Sequence, residues 1–190
     1  METKKKIRVY IGGVVKLPNI DVSLKNLIDK IKTSNLATAA KIIIVHSPDW
    51  NYLDHSFLQS SGLDIEYFDS KQRKGAFEYP GLRKLWKDAQ DSSFYGLYLH
   101  TKGASKTDAT ELENALKWAD LMMRGLIDHS DVCVKHLESG ADIVGCMWYW
   151  HFKGNFFWFD SAYAKKLPDP CNSKLDLSNR FHAEYWISYS

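Results

Sequence analysis

The sequence predicts an α/β domain built on a mixed, mostly parallel sheet flanked by helices. Three observations predict it. Apolar runs of strand length alternate with helical stripes through the first half, each run ends in small or polar residues, and no repeat, low-complexity tract or linker divides the chain. A length of 190 residues suits one domain with a full core, and 45% hydrophobic against 25% charged residues is an ordinary globular balance.

The elements follow in order. Residues 7–15 (IRVYIGGVV) read as a buried strand entering a tight loop at Gly12 and Gly13. Leu24, Leu27, Ile28 and Ile31 recur at helical spacing behind Asp21 and Ser23 as candidate caps. Residues 41–46 (KIIIVH) form a second strand, stopped by Ser47, Pro48 and Asp49, and residues 65–68 (IEYF) a third, ending at Asp69. Pro80 suits a first helical turn, where its missing N–H costs nothing, and Leu82, Leu85, Trp86 and Ala89 share one face of a helix ending near Asp91.

Residues 94–99 (FYGLYL) are a fourth strand that runs straight into His100, Thr101, Lys102 and Gly103. A stripe from Leu112 through Ala115, Leu116, Ala119, Met122 and Met123 to Leu126 then predicts a long helix, followed by a shorter one over 130–138. Residues 143–150 (IVGCMWYW) and 155–159 (NFFWF) read as two strands around the loop 151–154, and 178–188 as a last short helix.

Composition excludes several classes. A formal net charge of +2 gives no broad field for nucleic acid, and the basic run Lys4, Lys5, Lys6, Arg8 reads as a solvated lead-in to the first strand. Cys133, Cys146 and Cys171 are odd in number and widely spaced, which suggests neither a zinc knuckle nor a disulfide framework and points to a reducing, cytoplasmic compartment. Cys133 and Cys146 lie in apolar runs without a recognisable histidine partner, so they read as core rather than nucleophiles. No stretch approaches the roughly 18 apolar residues that span a bilayer, and the charged N-terminus does not resemble a signal peptide.

In an open parallel sheet, ligands bind at the carboxyl ends of the strands, where the strand order reverses. Gly12 and Gly13 there suit either a tight turn or close approach to a nucleotide. Asp69 ends the third strand. His100, Thr101 and Lys102 are harder to explain as packing: an ammonium and a hydroxyl beside a glycine turn can neutralise and hydrogen-bond a phosphate, although a charged turn at solvent is the plainer reading. Later in the chain His151 and Asn155 lead an aromatic segment that includes Trp158, where rings suit either core or a sugar face. His182 and Glu184 are candidate acid–base groups, and Asp160 is the competing carboxylate.

Taken in order, EYPGLRKLW (78–86), FYGLYLHTKGAS (94–105) and HFKGNFFWFDSAYAKKLP (151–168) resemble the GT-A-type glycosyltransferases of bacteria and large viruses. The likeness is greatest to the small, chlorella-virus-like domains that decorate surface or capsid glycans, and it covers roughly two thirds of the chain. It implies a single GT-A-like (Rossmann-like) domain, with a nucleotide-binding half over about 1–105 and a sugar and acceptor half over about 106–190. The activity implied is transfer of a sugar from a nucleoside diphosphate, UDP before GDP, to a glycan or glycoprotein.

On this reading the nucleotide lies against Gly12, Gly13, Asp69, His100, Thr101 and Lys102. The sugars lie against His151, Asn155 and Trp158, and Glu184, His182 or Asp160 is the catalytic group. Members of the family usually hold Mn2+ or Mg2+ with a DxD at the end of the fourth strand; this chain has no DxD and reads His100, Thr101, Lys102 there. No metal ligand is therefore assigned, and Lys102 is the candidate built-in cation, with Asp69 or Asp160 the alternative oxygens if a metal is kept. A module of the same fold that binds nucleotide sugar or glycan without turnover is the rival, and the chain is open to being one domain of a longer protein.

Overall fold

The computed structural model describes residues 5–48, 53–71, 78–172 and 180–189. The expectations for Lys4, Asp49 and Ser178 lie outside them. The first half alternates β1 (Lys6–Val14), α1 (Ile20–Lys32), a short α2 (Leu36–Ala39), β2 (Ala40–His46), a single turn α3 (Ser56–Gln59), β3 (Ile65–Asp69), α4 (Tyr79–Asp91) and β4 (Phe94–His100). Next α5 (Ala109–Met123) passes through a π-helical turn, Arg124–Asp128, into α6 (Ser130–Glu138). The chain then forms β5 (Ile143–Gly145), β6 (Phe157–Asp160), α7 (Ser161–Ala164), α8 (Arg180–Tyr185) and a 3-10 turn, Trp186–Ser188.

Six strands make one sheet in the order β3-β2-β1-β4-β6-β5, so both halves of the sequence share it. Neighbours among β1, β2, β3 and β4 are parallel, whereas β6 is antiparallel to both β4 and β5. Side chains alternate across the strands, and both faces are buried. Val9, Ile11, Ile42, Ile44, Leu97 and Leu99 pack with Leu24, Leu27 and Ile28 of α1, with Met122 of α5 and with Leu137 of α6. Tyr10, Ile43, Val45, Tyr98, Phe157 and Phe159 pack on the opposite side with Leu82 and Leu85 of α4, with Tyr163 of α7 and with Trp186. Fully apolar strand runs are what a sheet covered on both faces demands.

Local chemistry explains several boundaries. The Asp108 side chain accepts from Glu111 N at 2.9 Å and caps α5, and Pro80 stands in the first turn of α4. Asp21 and Ser23 do not cap α1. Both lie inside the helix, and Ser23 Oγ instead donates to Lys102 O at 2.9 Å, tying α1 to the turn after β4.

Two strands differ from expectation. β1 continues through the glycine pair to Val14, with a bulge between Ile11 and Val14. β5 stops at Gly145, five residues short, because Phe152 folds onto its backbone: a Cβ on Gly145 would lie 2.4 Å from that ring. Met147 then takes φ 58°, turning the chain out of the sheet.

The basic lead-in is also not simply solvated. Lys5 Nζ lies 2.6 Å from Asp160 Oδ2, and the Arg8 guanidinium lies 3.6 Å from Asp88 and 4.4 Å from the centre of the Phe94 ring. These cations are occupied within the domain. Among the described residues, no helix is long and apolar enough to cross a membrane.

Candidate functional site

The strand order reverses between β1 and β4, since β1 leads outward to β2 and β3 while β4 lies on its other side. The edge favoured for ligands in such sheets therefore lies at Gly12 and His100, which are register partners. Gly12 and Gly13 have structural reasons to be glycine. A Cβ on Gly12 would meet Tyr98 Oη at 2.6 Å, one on Gly81 of α4 would meet Gly12 Cα at 3.0 Å, and Gly13 has φ +70°.

The turn after β4 is tied down by its own residues. Thr101 is buried and its hydroxyl donates to Gly13 O at 2.7 Å, while Thr101 N donates to Gly12 O at 3.3 Å. Expected at a phosphate, that hydroxyl instead latches β4 to β1. Lys102 N donates to His100 O at 2.8 Å, and Gly103 at φ +87° closes the turn against Ala115 of α5. Lys102 is the cation this turn carries at that edge.

His100 faces the other way, toward β6. Its Nε2–H donates to Gly154 O at 2.9 Å, its ring meets Phe156 edge-on at 5.2 Å, and Nδ1 lies 3.6 Å from Glu78 Oε1. Burial, reinforced by the Lys102 charge, pushes its pKa down to about 3, so the ring is neutral at physiological pH. Asn155 donates its side-chain amide to Glu78 Oε2, and its own Oδ1 is buried with no hydrogen-bond partner among the described residues. At φ 54° and zero exposure, Asn155 is a strained and enclosed residue rather than an accessible sugar contact.

Glu78 is the residue the sequence did not disclose. It precedes α4, yet its carboxylate makes no capping bond and turns instead to Asn155 and His100. An acidic residue directly before a Tyr-Pro helix start, too poorly placed to cap, was the only local signal.

The loop between β5 and β6 brings the third component. His151 Nε2 lies 3.4 Å from Glu184 Oε2 of α8, and its ring meets Tyr185 at 4.7 Å. His100 holds Gly154 O, three residues along the same loop from His151, which brings the Glu184 carboxylate to the edge of the β4 turn. Three segments far apart in sequence, around His100, His151 and Glu184, therefore converge. The arrangement offers a partly exposed carboxylate backed by imidazole, and an ammonium in the β4 turn.

Other expected residues are elsewhere. Asp160 ends β6, which is antiparallel, so it falls at the opposite edge of the sheet beside Tyr95, held by Lys5 and capping α7. It cannot act with Glu184. Trp158 has zero exposure in the middle of β6 and donates Nε1–H to Leu126 O at 2.8 Å, which makes it core and removes it as a sugar platform. Asp69 is at the correct edge but on the outermost strand, three spacings or about 14 Å from β4, where its Oδ1 accepts from Lys71 N. His182 lies two residues from Glu184 on α8, hence on another helical face at about 100° per residue. Its Nδ1 is buried without a partner among the described residues.

The β4 turn itself offers no carboxylate to a divalent cation, and the nearest, Glu78, is engaged by Asn155 and lies 3.6 Å from His100. A hard metal needs several oxygen ligands, whereas this turn presents a neutral imidazole committed to a carbonyl, an occupied hydroxyl and an ammonium. The two alternative carboxylates, Asp69 and Asp160, stand on different strands and different edges. Cys133, pushed up to about 11 by burial, and Cys146, raised for the same reason, stay as thiols and belong to the packing.

The fold defines an α/β domain whose strand order reverses between β1 and β4, with Lys102 in the turn that ends β4 at that edge. No protein-family model matches the chain, and comparison with the curated proteins finds no significant match.

Proposed function

We propose that this chain is a glycosyltransferase that moves a sugar from a nucleoside diphosphate, UDP in the first instance, to a glycan or glycoprotein acceptor. The observation that carries it is that the turn bearing Lys102 and the His151 and Glu184 pair meet at one carboxyl edge, joined through the His100 to Gly154 hydrogen bond. Acid–base chemistry beside a fixed cation is what transfer from a diphosphate donor requires.

In the step proposed, the acceptor hydroxyl oxygen forms a bond to the anomeric carbon. The bond from that carbon to the diphosphate oxygen breaks, and its electron pair leaves with the diphosphate. The acceptor proton passes to the Glu184 carboxylate, which His151 orients. Lys102 stabilises the charge growing on the diphosphate, the task a metal performs in related folds. Glu78, His100, Thr101 and Asn155 hold the turn in place and touch no substrate. A cytoplasmic setting belongs to the same proposal.

The replacement of an acidic pair by His100, Thr101 and Lys102 also suits a binding module without turnover. One experiment separates the two. A thermal-shift screen of UDP- and GDP-sugars, with and without Mn2+, is followed by a donor hydrolysis assay on those that bind. Binding with hydrolysis or transfer supports the enzyme, binding alone supports a nucleotide-sugar-binding module, and no nucleotide binding overturns both of these and leaves a glycan-binding module.

A further inference from the structure

The segment that leaves the sheet after β5 exposes four consecutive large side chains: Met147 (51%), Trp148 (55%), Tyr149 (63%) and Trp150 (75%). Single exposed apolar residues are ordinary on a protein surface, whereas a contiguous patch marks an interaction site. Tyr185, 40% exposed, extends this patch through its contact with His151.

The loop is built rather than loose. Tyr149 N donates to His151 O at 2.8 Å and Lys153 N to Met147 O at 3.3 Å, and Trp148 bridges to Phe152 with the two rings edge-on at 4.9 Å. Lys153 Nζ lies over the Tyr149 ring at 5.2 Å. Met147 and Trp150 both take left-handed φ, 58° and 62°, a conformation that non-glycine residues hold only when their surroundings enforce it. The result presents flat rings to solvent immediately beside His151, and so within one residue of the His151 and Glu184 pair.

Ring chemistry favours one occupant. Trp and Tyr offer an apolar face with a polar N–H or O–H at the edge, which matches a pyranose that has an apolar C–H face and a hydroxyl rim. An anionic membrane is a poorer match, because Lys153 is the sole cation between residues 146 and 156. A second copy is poorer still, since a stable dimer needs roughly 20–30 residues a side.

We infer that Trp148, Tyr149 and Trp150 form a saccharide-binding subsite for the acceptor, stacking one of its sugar rings and directing a hydroxyl toward Glu184. This rests on the glycosyltransferase reading above for the identity of the bound sugar as acceptor.

The test uses the full chain and its Trp148→Ala and Trp150→Ala variants, with maltotriose, mannotriose, chitotriose, galactotriose and a rhamnose trisaccharide as probes. Saccharide binding is read by tryptophan fluorescence and by saturation-transfer NMR, and UDP binding is measured separately. The expected result is that at least one trisaccharide binds the wild type and is weakened tenfold or more in Trp150→Ala, with melting temperature and UDP affinity unchanged. Absence of binding by all five, or binding that neither variant alters, overturns the subsite. Either result alongside intact UDP binding leaves the proposed function standing. Saccharide binding without UDP binding keeps the subsite and removes the nucleotide-sugar reading. Sedimentation with phosphatidylcholine–phosphatidylserine vesicles, or dimerisation, that Trp150→Ala abolishes in the absence of saccharide binding also overturns it.

Discussion

His151 Nε2 lies 3.4 Å from Glu184 Oε2, an approach that joins the loop between β5 and β6 to α8 and stations a carboxylate beside the turn after β4. Glu184→Gln keeps the shape and removes the base. Turnover should fall by about 10²–10⁴, the usual contribution of a positioned acid–base group, while UDP affinity changes little. Because both side chains are partly exposed, the melting temperature should move only slightly. Single-turnover transfer alongside nucleotide titration checks this, and an equal loss of affinity would place Glu184 at the nucleotide instead.

Asn155 acts on the same edge through packing. Its amide serves Glu78, so Asn155→Ala leaves a carboxylate without that donor and puts alanine at a φ of 54°. A loss on the order of 2–4 kcal/mol in urea unfolding is expected from the missing charge-assisted bond and the strained backbone together. Asn155→Gly relieves the backbone part alone and should recover about 1 kcal/mol. Unchanged stability with abolished transfer would return Asn155 to the sugar.

Much of this edge was legible in the sequence, and what was missed has physical reasons. A buried apolar run delivering His100, Thr101 and Lys102 announces a strand terminus at the sheet edge, and the parallel alternation of β1 to β4 places it. The direction of β6 is invisible to a pattern of alternating aromatics, so the sequence alone puts Asp160 at the edge it does not occupy. The same pattern cannot distinguish a ring stacked on a ligand from one packed on Leu126, hence the misplacing of Trp158. Glu78 and Asn155 meet only after folding, across the whole of β4, α5 and α6. The exposed aromatics after Gly145 read as strand because hydrophobic patterning carries no record of a left-handed φ.

His100 sets a pH dependence of stability. Its folded pKa, about 3, is depressed below the 6.5 of a free imidazole, so the unfolded chain binds the extra proton. Its contribution is therefore complete above pH 6.5 and declines as pH falls from 6.5 toward 3, with a limiting slope of about 1.4 kcal/mol per pH unit. His100→Gln keeps a donor for Gly154 but does not titrate. Urea unfolding at pH 7, 5.5 and 4 should give the wild type the steeper loss, and parallel slopes would show that His100 is not buried neutral.

Charge at the diphosphate gives the last prediction. Thr101 is committed to Gly13 and His100 to Gly154, and the proposed function assigns the diphosphate at this turn to Lys102. Lys102→Ala should remove a charge-assisted contact and cost on the order of 1.5–3 kcal/mol in UDP binding, about ten- to a hundredfold in affinity. Lys102→Arg should restore part of the charge but not the geometry, because a planar fork and a compact ammonium present their donors differently. Transfer, or donor hydrolysis where no acceptor is known, should survive EDTA. The measurement is that activity in EDTA and then with added Mn2+, for the wild type and both variants. Complete loss in EDTA with full recovery on Mn2+, together with a near-silent Lys102→Ala, would transfer the role to a metal and remove the lysine from the reaction.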